Sequence, residues 1–597
     1  YFDGGGFFSS NTDHDKILSV DQWGNNSWTS MASAFSGCTN LRINASDAPN
    51  LAAVTDMSQM FFEASAFNDD ISGWNVTSVT NMSELFRDAE NFNQPLDSWN
   101  VENVLSMEGM FRQAEAFNQP LNSWDVRNVT TMREMFFIAT DFNGDISGWQ
   151  VENVQNMTGM FGSSAFNQDI SAWVVDNVII MSGMFNGAEQ FNQDISGWNI
   201  GNVTNISFMF SDATAFNADI SGWNISNVND MDGLFRRANS FNADITGWDV
   251  SGVNDMSRMF QGNVTFNQDI SGWLVNGVSN MEDMFNGAIL FNQDISSWVV
   301  DNVGDMSGMF SGAEQFNQDI SSWNVGNVDD MRSMFAGASA FDQNLGGWDV
   351  TSIRFMSSMF NNSGLSIENY DNALIGWNSQ TVRNNVSLGA SGIFYCSAEF
   401  ARAELIANIG WFISDGGQGC IAVFDGGDPT AIQIQNGQSA PIDFGSINLL
   451  PASRTRNITI LNQIATPITS LDVSITGTAF TVVPAAPTVI APGNFETIKV
   501  VLSGRAPGSF TETLTITSAS FSTPFIFTLI GEITVGPEPE IAVYEGATVT
   551  GTEIIDDQTS TYDFGSEPRG TSITREIAIT NKGSNILDIS SMSITGS

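Results

Sequence analysis

The sequence predicts an α/β solenoid of about 14 turns, with a short helix and a short strand in each turn, followed by all-β sandwiches. Three observations lead to this expectation. Tryptophan recurs every 25 residues through much of the chain, and each repeat carries apolar residues at helical spacing. The last third changes to alternating β-branched residues between turn signals, which is typical of strands.

The tryptophan period defines the repeat. Every interval is 25 residues except the 24 between Trp149 and Trp173, where the segment FGSSAFN lacks one residue. A typical unit reads DMSGMFSGAEQFNQDISSWNVGNV. The tryptophans of the series are Trp74, Trp99, Trp124, Trp149, Trp173, Trp198, Trp223, Trp248, Trp273, Trp298, Trp323 and Trp348.

Each unit divides into two halves. The first half has apolar residues at helical spacing, which in one unit are Met306, Met309, Phe310 and Ala313. An Asn or Asp precedes the first Met, where a helix N-cap belongs, so this half predicts a helix of about two turns. The second half predicts a short strand and a turn, with apolar residues Ile320, Trp323 and Val325 in the same unit.

One unit cannot bury its own apolar face, whereas stacked units can, because like residues then lie on their counterparts. The Met and aromatic columns are therefore predicted to be core. The wording DMSGMF and FNQDISGW resembles the BspA-like group of bacterial surface proteins with leucine-rich-type repeats, over roughly residues 15 to 420. That resemblance implies a leucine-rich-repeat-like solenoid in a secreted, cell-surface protein.

The regular pattern ends after Phe360. Residues 401–409 predict an amphipathic helix with Trp411 as a packing anchor, and the segment resembles the C-terminal cap of the same family. In an exported protein Cys396 and Cys420 are then expected to form a disulfide, the alternative being two buried thiols. Cys38 is predicted to be a small buried residue of the first turns, with an intermolecular bridge as the alternative.

The tail begins near residue 421, and its segments resemble the Ig-like modules called choice-of-anchor D, related to ASH-type sandwiches. The pair IDFGS and YDFGS repeats 120 residues apart, and the second copy stops half-way, so we expect the natural chain to continue. The predicted domains are an N-terminal segment with divergent first turns at 1–56, regular repeats at 57–360, the cap at 361–420, one sandwich at 421–535 and the start of another at 540–597.

The charge of the chain excludes some partners. The formal net charge is −46, from 66 acidic and 20 basic residues. So acidic a surface repels nucleic acid and anionic lipid. No apolar run approaches the length of a membrane span, so none is expected in this region.

An acidic column is the most suggestive candidate site. One position of the repeat carries Asp in most units, interrupted by Pro95, Pro120 and Asn344. The column admits two interpretations, a solvated stripe of turn-forming Asp or a weak calcium site; no cofactor is required. The residues proposed for calcium are Asp169, Asp194, Asp219, Asp244, Asp269, Asp294 and Asp319.

A second column carries Asn, from Asn68 to Asn317, and predicts a ladder in which each amide bonds the backbone of the next unit. Catalysis has no comparable signature. His14 is the only histidine, and evenly repeated carboxylates do not form the unique pair that a glycosidase needs. The sequence therefore predicts that the chain is not an enzyme.

Three functions remain open at this point. The first is an adhesin or extracellular appendage subunit that binds other cells, surface glycans or proteins. The second is a self-assembling filament or ring, hence a homo-oligomer, and the third is the recognition part of a larger secreted hydrolase. Arginines break the acidic surface and are the candidate partner contacts, namely Arg87, Arg112, Arg133, Arg236, Arg237, Arg258 and Arg332.

Overall fold

The structure is a computed structural model of the 597-residue chain. It describes residues 17–449, 452–464, 466–483, 489–504, 506–535, 541–551, 553–554, 570–582 and 587–593. His14 and the second copy of the DFG turn, at 563–565, lie outside the described residues. The chain divides into two compact domains, the N-terminal domain (Tyr1–Gln418) and the C-terminal domain (Gly419–Ser597).

The repeats contain neither the helix nor the strand that the sequence predicts. After two short strands, β1 (Ser19–Val20) and β2 (Arg42–Ile43), which pair in parallel, the next regular element begins at Ile367. Between them every unit is a series of turns. The prediction of an α/β solenoid with a helix and a strand in each turn is therefore wrong, and we call residues 57–360 the repeat stack.

The physical reason lies in the directions of the backbone N–H groups. In one unit, the N–H groups of Met231, Gly233, Phe235 and Arg237 donate to carbonyls of the next unit at 2.7 to 3.0 Å. Those of the intervening Leu234, Arg236 and Ala238 donate to the carbonyl three residues back, at 3.1 Å. In an α-helix every N–H would instead point to the carbonyl four residues back.

Left-handed residues at two fixed positions of the unit also prevent a helix. Gly233 and Arg237 have φ of 59° and 52°, and most other units repeat this pair of positive φ angles. Such residues are costly inside a right-handed helix. A run of overlapping four-residue turns places apolar side chains at the same spacing as a helix, so the sequence pattern alone could not distinguish the two.

Neighbouring units are joined by single-residue parallel bridges. These run from Asp56 with Asn81 to Asp330 with Phe355, one in each unit. The second half of the unit, where a strand was predicted, pairs with no neighbouring strand and forms turns instead. Successive units thus stack through alternating backbone hydrogen bonds rather than through a continuous sheet.

The core of the repeat stack consists of aromatic and methionine columns, which confirms the prediction from the repeat. Phe210 and Phe216 of one unit stack at 3.8 Å between ring centroids, and Phe210 lies 5.7 Å from Phe185 and 5.9 Å from Phe235. All four are fully buried. Offset aromatic pairs of this kind add about 0.5–1.5 kcal/mol each to the burial of their surface.

Two helices follow the last repeat in the N-terminal domain. They are α1 (Ile367–Asn378), which the sequence analysis did not predict, and α2 (Glu399–Ala407), which overlaps the predicted 401–409. They alternate with the parallel strands β3 (Ser387–Ala390) and β4 (Phe412–Asp415). Trp411 is buried, as expected. Neither helix in the described part of the chain has the length and apolar run needed to cross a bilayer.

The C-terminal domain is built from strands. Those described are β5 (Ile421–Asp425), β6 (Ile432–Ile434), β7 (Ile442–Asn448), β8 (Arg454–Asn462), β9 (Ile468–Thr469), β10 (Asp472–Ile475), β11 (Phe480–Val483), β12 (Val489–Ile490), β13 (Phe495–Leu502), β14 (Gly508–Ser518), β15 (Phe521–Thr534), β16 (Ile541–Glu545), β17 (Glu553–Ile554) and β18 (Ile577–Asn581).

These strands form two main sheets and two smaller ones. One main sheet has the order β10-β14-β15-β7, with β7 parallel to β15, and the other has the order β11-β13-β8-β5-β6. Phe444 of the first contacts Phe480 of the second, 4.9 Å apart in an edge-on arrangement. Buried residues alternate along β14, at Glu512, Leu514 and Ile516, as expected when one face of that sheet is covered. The smaller sheets are β12-β9 and β17-β16-β18.

Candidate functional site

The acidic column lies on exposed turns of the repeat stack. In each unit that carries the Asp, one carboxylate oxygen accepts the backbone N–H of the residue two positions further on, as from Ser196 to Asp194 at 2.9 Å. This is an Asx-turn, for which Asp and Asn are the usual residues. The same bond is made by Asp70, Asp145, Asp169, Asp219, Asp244, Asp269, Asp294 and Asp319.

These hydrogen bonds set the electrostatics of the column. Hydrogen bonds from the Ser196 hydroxyl and backbone hold the pKa of Asp194 below its ordinary value of 3.8. The neighbouring Asp194 carboxylate acts in the opposite direction on the pKa of Asp169 and Asp219, but bonds from Ser171 and Ser221 outweigh it, so both pKa values are lowered. The structure thus brings the carboxylates close enough to repel and shows the bonds that hold them.

Among the described residues, no group of three or more His, Cys, Asp or Glu side chains is arranged to hold a metal ion. Calcium binding was one of the two interpretations of the repeated Asp column, and it stays a prediction. The turn-forming role of the same residues is visible in their hydrogen bonds, as described above.

We expect the repeat stack to lose stability when the pH falls below 3.8, the ordinary pKa of Asp. A carboxylate whose pKa is lowered by folding contributes stability above its unfolded pKa, and this contribution is lost as the pH falls through the folded pKa. Burial raises the pKa of Asp232 and Glu282, whose contributions instead decrease as the pH rises. Thermal midpoints measured from pH 7 down to pH 2.5 check the expectation.

A matched variant separates the acidic column from other carboxylates. The triple change Asp194→Asn, Asp219→Asn and Asp244→Asn keeps the Asx-turn acceptor, as Asn344 does naturally toward Gly346 at 2.9 Å. The triple variant should lose less stability in acid than the unmodified chain, since fewer carboxylates titrate. An equally steep acid transition in both chains would contradict this account.

The arginines predicted as partner contacts lie on a single face. All seven occur within the first eight residues of their units, the segment that carries the left-handed residues. Arg237 and Arg258 themselves have positive φ. From the sequence they were known only as breaks in an acidic surface. The structure brings them together on the face formed by these segments, which we call the turn face.

Each of the seven arginines is paired with a carboxylate. Arg258 bonds Asp232 of the preceding unit at 2.7 Å, Arg133 bonds Glu108 at 3.0 Å, and Arg112 pairs with Glu134. The other pairs are Arg87 with Glu84, Arg236 and Arg237 with Asp212, and Arg332 with Asp330. Exposed pairs of this type contribute little to stability, but they neutralise the charge that a partner would meet.

Four of the arginines also lie over aromatic rings. The guanidinium carbon of Arg87 is 5.1 Å from the ring centre of Phe62, and that of Arg112 is 5.3 Å from Phe137. Arg258 over Phe208 and Arg332 over Phe355 repeat the arrangement. These contacts hold the guanidinium planes against the turn face, so the arginines serve the packing of neighbouring units.

The predicted asparagine ladder is confirmed. The side-chain oxygen of each Asn accepts the backbone N–H of the next Asn in the column, as from Asn217 to Asn192 at 2.8 Å and from Asn242 to Asn217 at 2.9 Å. Gln side chains that follow several of these residues add a bond to the preceding unit, such as Gln193 to the carbonyl of Asn167 at 2.9 Å.

A second asparagine column was missed by the sequence analysis. It precedes the last Val of the unit, and its side-chain N–H donates to a backbone carbonyl of the preceding unit, as from Asn177 to Glu152 at 2.8 Å. The repeated Asn-Val pair was the signal that could have revealed it. The members with this bond are Asn103, Asn128, Asn153, Asn177, Asn202, Asn227, Asn302 and Asn327.

The cysteines occupy two settings. Cys396 and Cys420 are buried and disulfide-bonded, and Cys38 is a buried thiol in the first turns. Next to Cys396, the buried carboxylate of Asp371 accepts three backbone N–H groups, from Cys396, Ser397 and Ala398, at 2.7 to 3.1 Å. This carboxylate fixes the loop before α2 and was not singled out from the sequence.

The chain was compared with known proteins. One family model, described as Mycoplasma protein of unknown function, DUF285, matches it four times, over residues 29–149, 130–242, 215–313 and 293–400. Together the matches span residues 29–400, which is more than half of the 597 residues. No curated protein matches the chain.

Proposed function

Because the chain belongs to the family described as Mycoplasma protein of unknown function, DUF285, we propose its role from the surface of the repeat stack: a bacterial cell-surface adhesin that binds other cells, glycans or proteins. In this proposal the chain is extracellular, acts without catalysis and requires no cofactor. The resemblance of the repeat to BspA-like surface proteins, and of the tail to choice-of-anchor D modules, supports the same location.

The observation that carries the proposal is the repetition of exposed hydrogen-bonding groups. The acidic column and the second asparagine column each place the same side chain on successive units, held by bonds to the backbone. A surface on which one group recurs at every unit can engage a repetitive partner at many points, and such avidity exceeds the affinity of any one contact. Repeat proteins commonly use their extended faces in this way.

The state of the cysteines is a second argument for export. Cys396 and Cys420 are disulfide-bonded, and disulfides persist mainly in oxidising compartments such as the cell exterior. The net charge of −46 suits a surface that stays soluble and avoids nucleic acid.

An adhesion assay tests the proposal. Fluorescent beads coated with the full chain should bind bacterial or host cells, or surfaces coated with their glycans or proteins, well above beads coated with the heat-unfolded chain. The assay is run with calcium and with a chelator, so that it also tests the calcium prediction. Binding no stronger than that of the unfolded chain on every surface would contradict the proposed function.

A further inference from the structure

Two adjoining grooves lie along the second asparagine column. The first has a volume of about 500 Å³ and is lined by Asn153, Gln155, Asn177, Ile179 and Asn202, from three successive units. That volume is within the range of ligand sites. We propose that this surface, which we call the amide groove, binds a neutral polysaccharide; the inference rests on the proposed function and names its ligand class.

The amide side chains of the groove are held in place before a ligand arrives. The side-chain N–H groups of Asn153, Asn177 and Asn202 donate to carbonyls of the preceding unit at 2.7 to 2.8 Å. Each amide plane is thereby fixed, while the residues themselves are exposed. Each side-chain oxygen then remains available to accept bonds from hydroxyl groups, and side chains that are already ordered lose less entropy on binding.

The lining favours a sugar over other ligand classes. Its five residues carry no charge, so neither a metal ion nor an anionic polymer finds a counter-charge there. An extended peptide usually adds to a strand edge with unpaired backbone groups. Here the carbonyls of Arg127, Glu152 and Asp176 along the column already accept bonds from the asparagines. A chain of hydroxyl-bearing rings needs side-chain acceptors instead.

An apolar wall completes the groove. Ile179, the one aliphatic residue of the lining, is 44% exposed. Exposed aliphatic surface of this kind can cover the C–H face of a sugar ring. Ile179 belongs to the 24-residue unit, whose Trp173 has a buried indole N–H without an acceptor among the described residues, whereas Trp198 and Trp223 bond the preceding unit. The groove therefore coincides with the irregular unit of the repeat stack.

The second groove extends the same column toward the N-terminus and gives the site a length. It includes Asn103, Asn128 and Asn153, and its rim is charged: Glu102 and Glu152 lie there beside the ion pair of Arg127 with Asp125. The run of asparagines continues to Asn227 and is interrupted where the column holds Gly252 and Gly277. A periodic row of six acceptors suits a periodic ligand, so affinity should rise with the number of sugar units.

The test measures binding of the full chain to defined neutral oligosaccharides by titration calorimetry. The probes are β-1,4-glucose, β-1,3-glucose, α-1,4-glucose, β-1,4-xylose and β-1,4-mannose oligomers of two and six units. We expect at least one six-unit probe to bind, and more tightly than its two-unit form. Asn177→Ala and Ile179→Asp should each weaken that binding about tenfold, since each removes contacts worth roughly 1 kcal/mol or more.

Matched variants show that a loss is local. Asn302→Ala removes the same kind of residue and the same bond, to Asn276, outside the grooves, and should leave binding unchanged. The stack already accommodates Gly252 and Gly277 in the asparagine column and Asp329 at the position of Ile179, so both test variants should fold. Unfolding curves of the variants verify this.

Two outcomes would overturn the inference: no probe binds, or Asn177→Ala and Ile179→Asp both bind as the unmodified chain does. If the adhesion assay succeeds while one of these occurs, the amide groove fails and the proposed function stands. If a probe binds through the groove but no cell surface is bound, the groove stands and the adhesive role fails.

Discussion

Replacing Phe210 by alanine is expected to lower the free energy of unfolding of the repeat stack by about 3–5 kcal/mol. Phe210 is fully buried and stacks on Phe216 at 3.8 Å, with Phe185 and Phe235 at 5.7 and 5.9 Å in the neighbouring units. Removing the ring leaves a cavity that touches three units, and backbone bonds on both sides keep the units from closing it. Stability in a stack is the sum of such neighbour contacts.

Tryptophan fluorescence during denaturant unfolding measures this loss. All 16 tryptophans lie between Trp23 and Trp411, and therefore within the N-terminal domain. Val299→Ala is the control, since Val299 is 51% exposed, and its change should stay within about 0.5 kcal/mol. A loss below about 1 kcal/mol for Phe210→Ala would mean that the phenylalanine column is not the core that the ring distances indicate.

Replacing Asp371 by alanine should lower the free energy of unfolding by about 3 kcal/mol or more and loosen the segment that follows the last repeat in the N-terminal domain. Its buried carboxylate accepts three backbone N–H groups and the Ser397 hydroxyl, the latter at 2.9 Å. Alanine leaves all four donors without this partner, and two of them, the N–H groups of Cys396 and Ala398, belong to buried residues. Unsatisfied buried donors carry a desolvation penalty of about 1–3 kcal/mol each.

Two comparisons sharpen the Asp371 prediction. Asp371→Asn keeps one oxygen acceptor and should lose less stability, and Glu368→Ala changes an exposed acid of the same helix with little effect. Hydrogen exchange of the Cys396, Ser397 and Ala398 amides reports the site directly. Unchanged protection of these amides in Asp371→Ala would show that the carboxylate does not hold the loop.

Much of the N-terminal domain could be predicted from the sequence, because the same residue types recur at the same position of each repeat. A column such as Phe185, Phe210 and Phe235 specifies stacking whatever the local backbone, so core and period follow without knowledge of dihedral angles. The local conformation did not follow. Arg237 has a positive φ, which neither its residue type nor its position in the repeat predicts. The same apolar spacing fits a helix equally well.

The candidate site was likewise predictable only in part. The Asn ladder was predictable, since an amide recurring at every unit needs a partner that recurs with it. The pairing of Arg258 with Asp232 and Phe208 depends on which residues of adjacent units meet, and this was fixed only by the turn geometry. The amide groove is lined by residues of three successive units, so no single repeat specifies it.

The bonds between units have a consequence for folding and for the history of the chain. Each joins residues about 25 positions apart, as from Asn242 to Asn217, and none in the ladders reaches further than the adjacent unit. The cost of closing such short loops is the same everywhere, so the stack can grow from any nucleus by adding neighbours. Removing one whole unit rejoins surfaces of equal shape, so its length is free to vary by duplication and loss while its fold is kept.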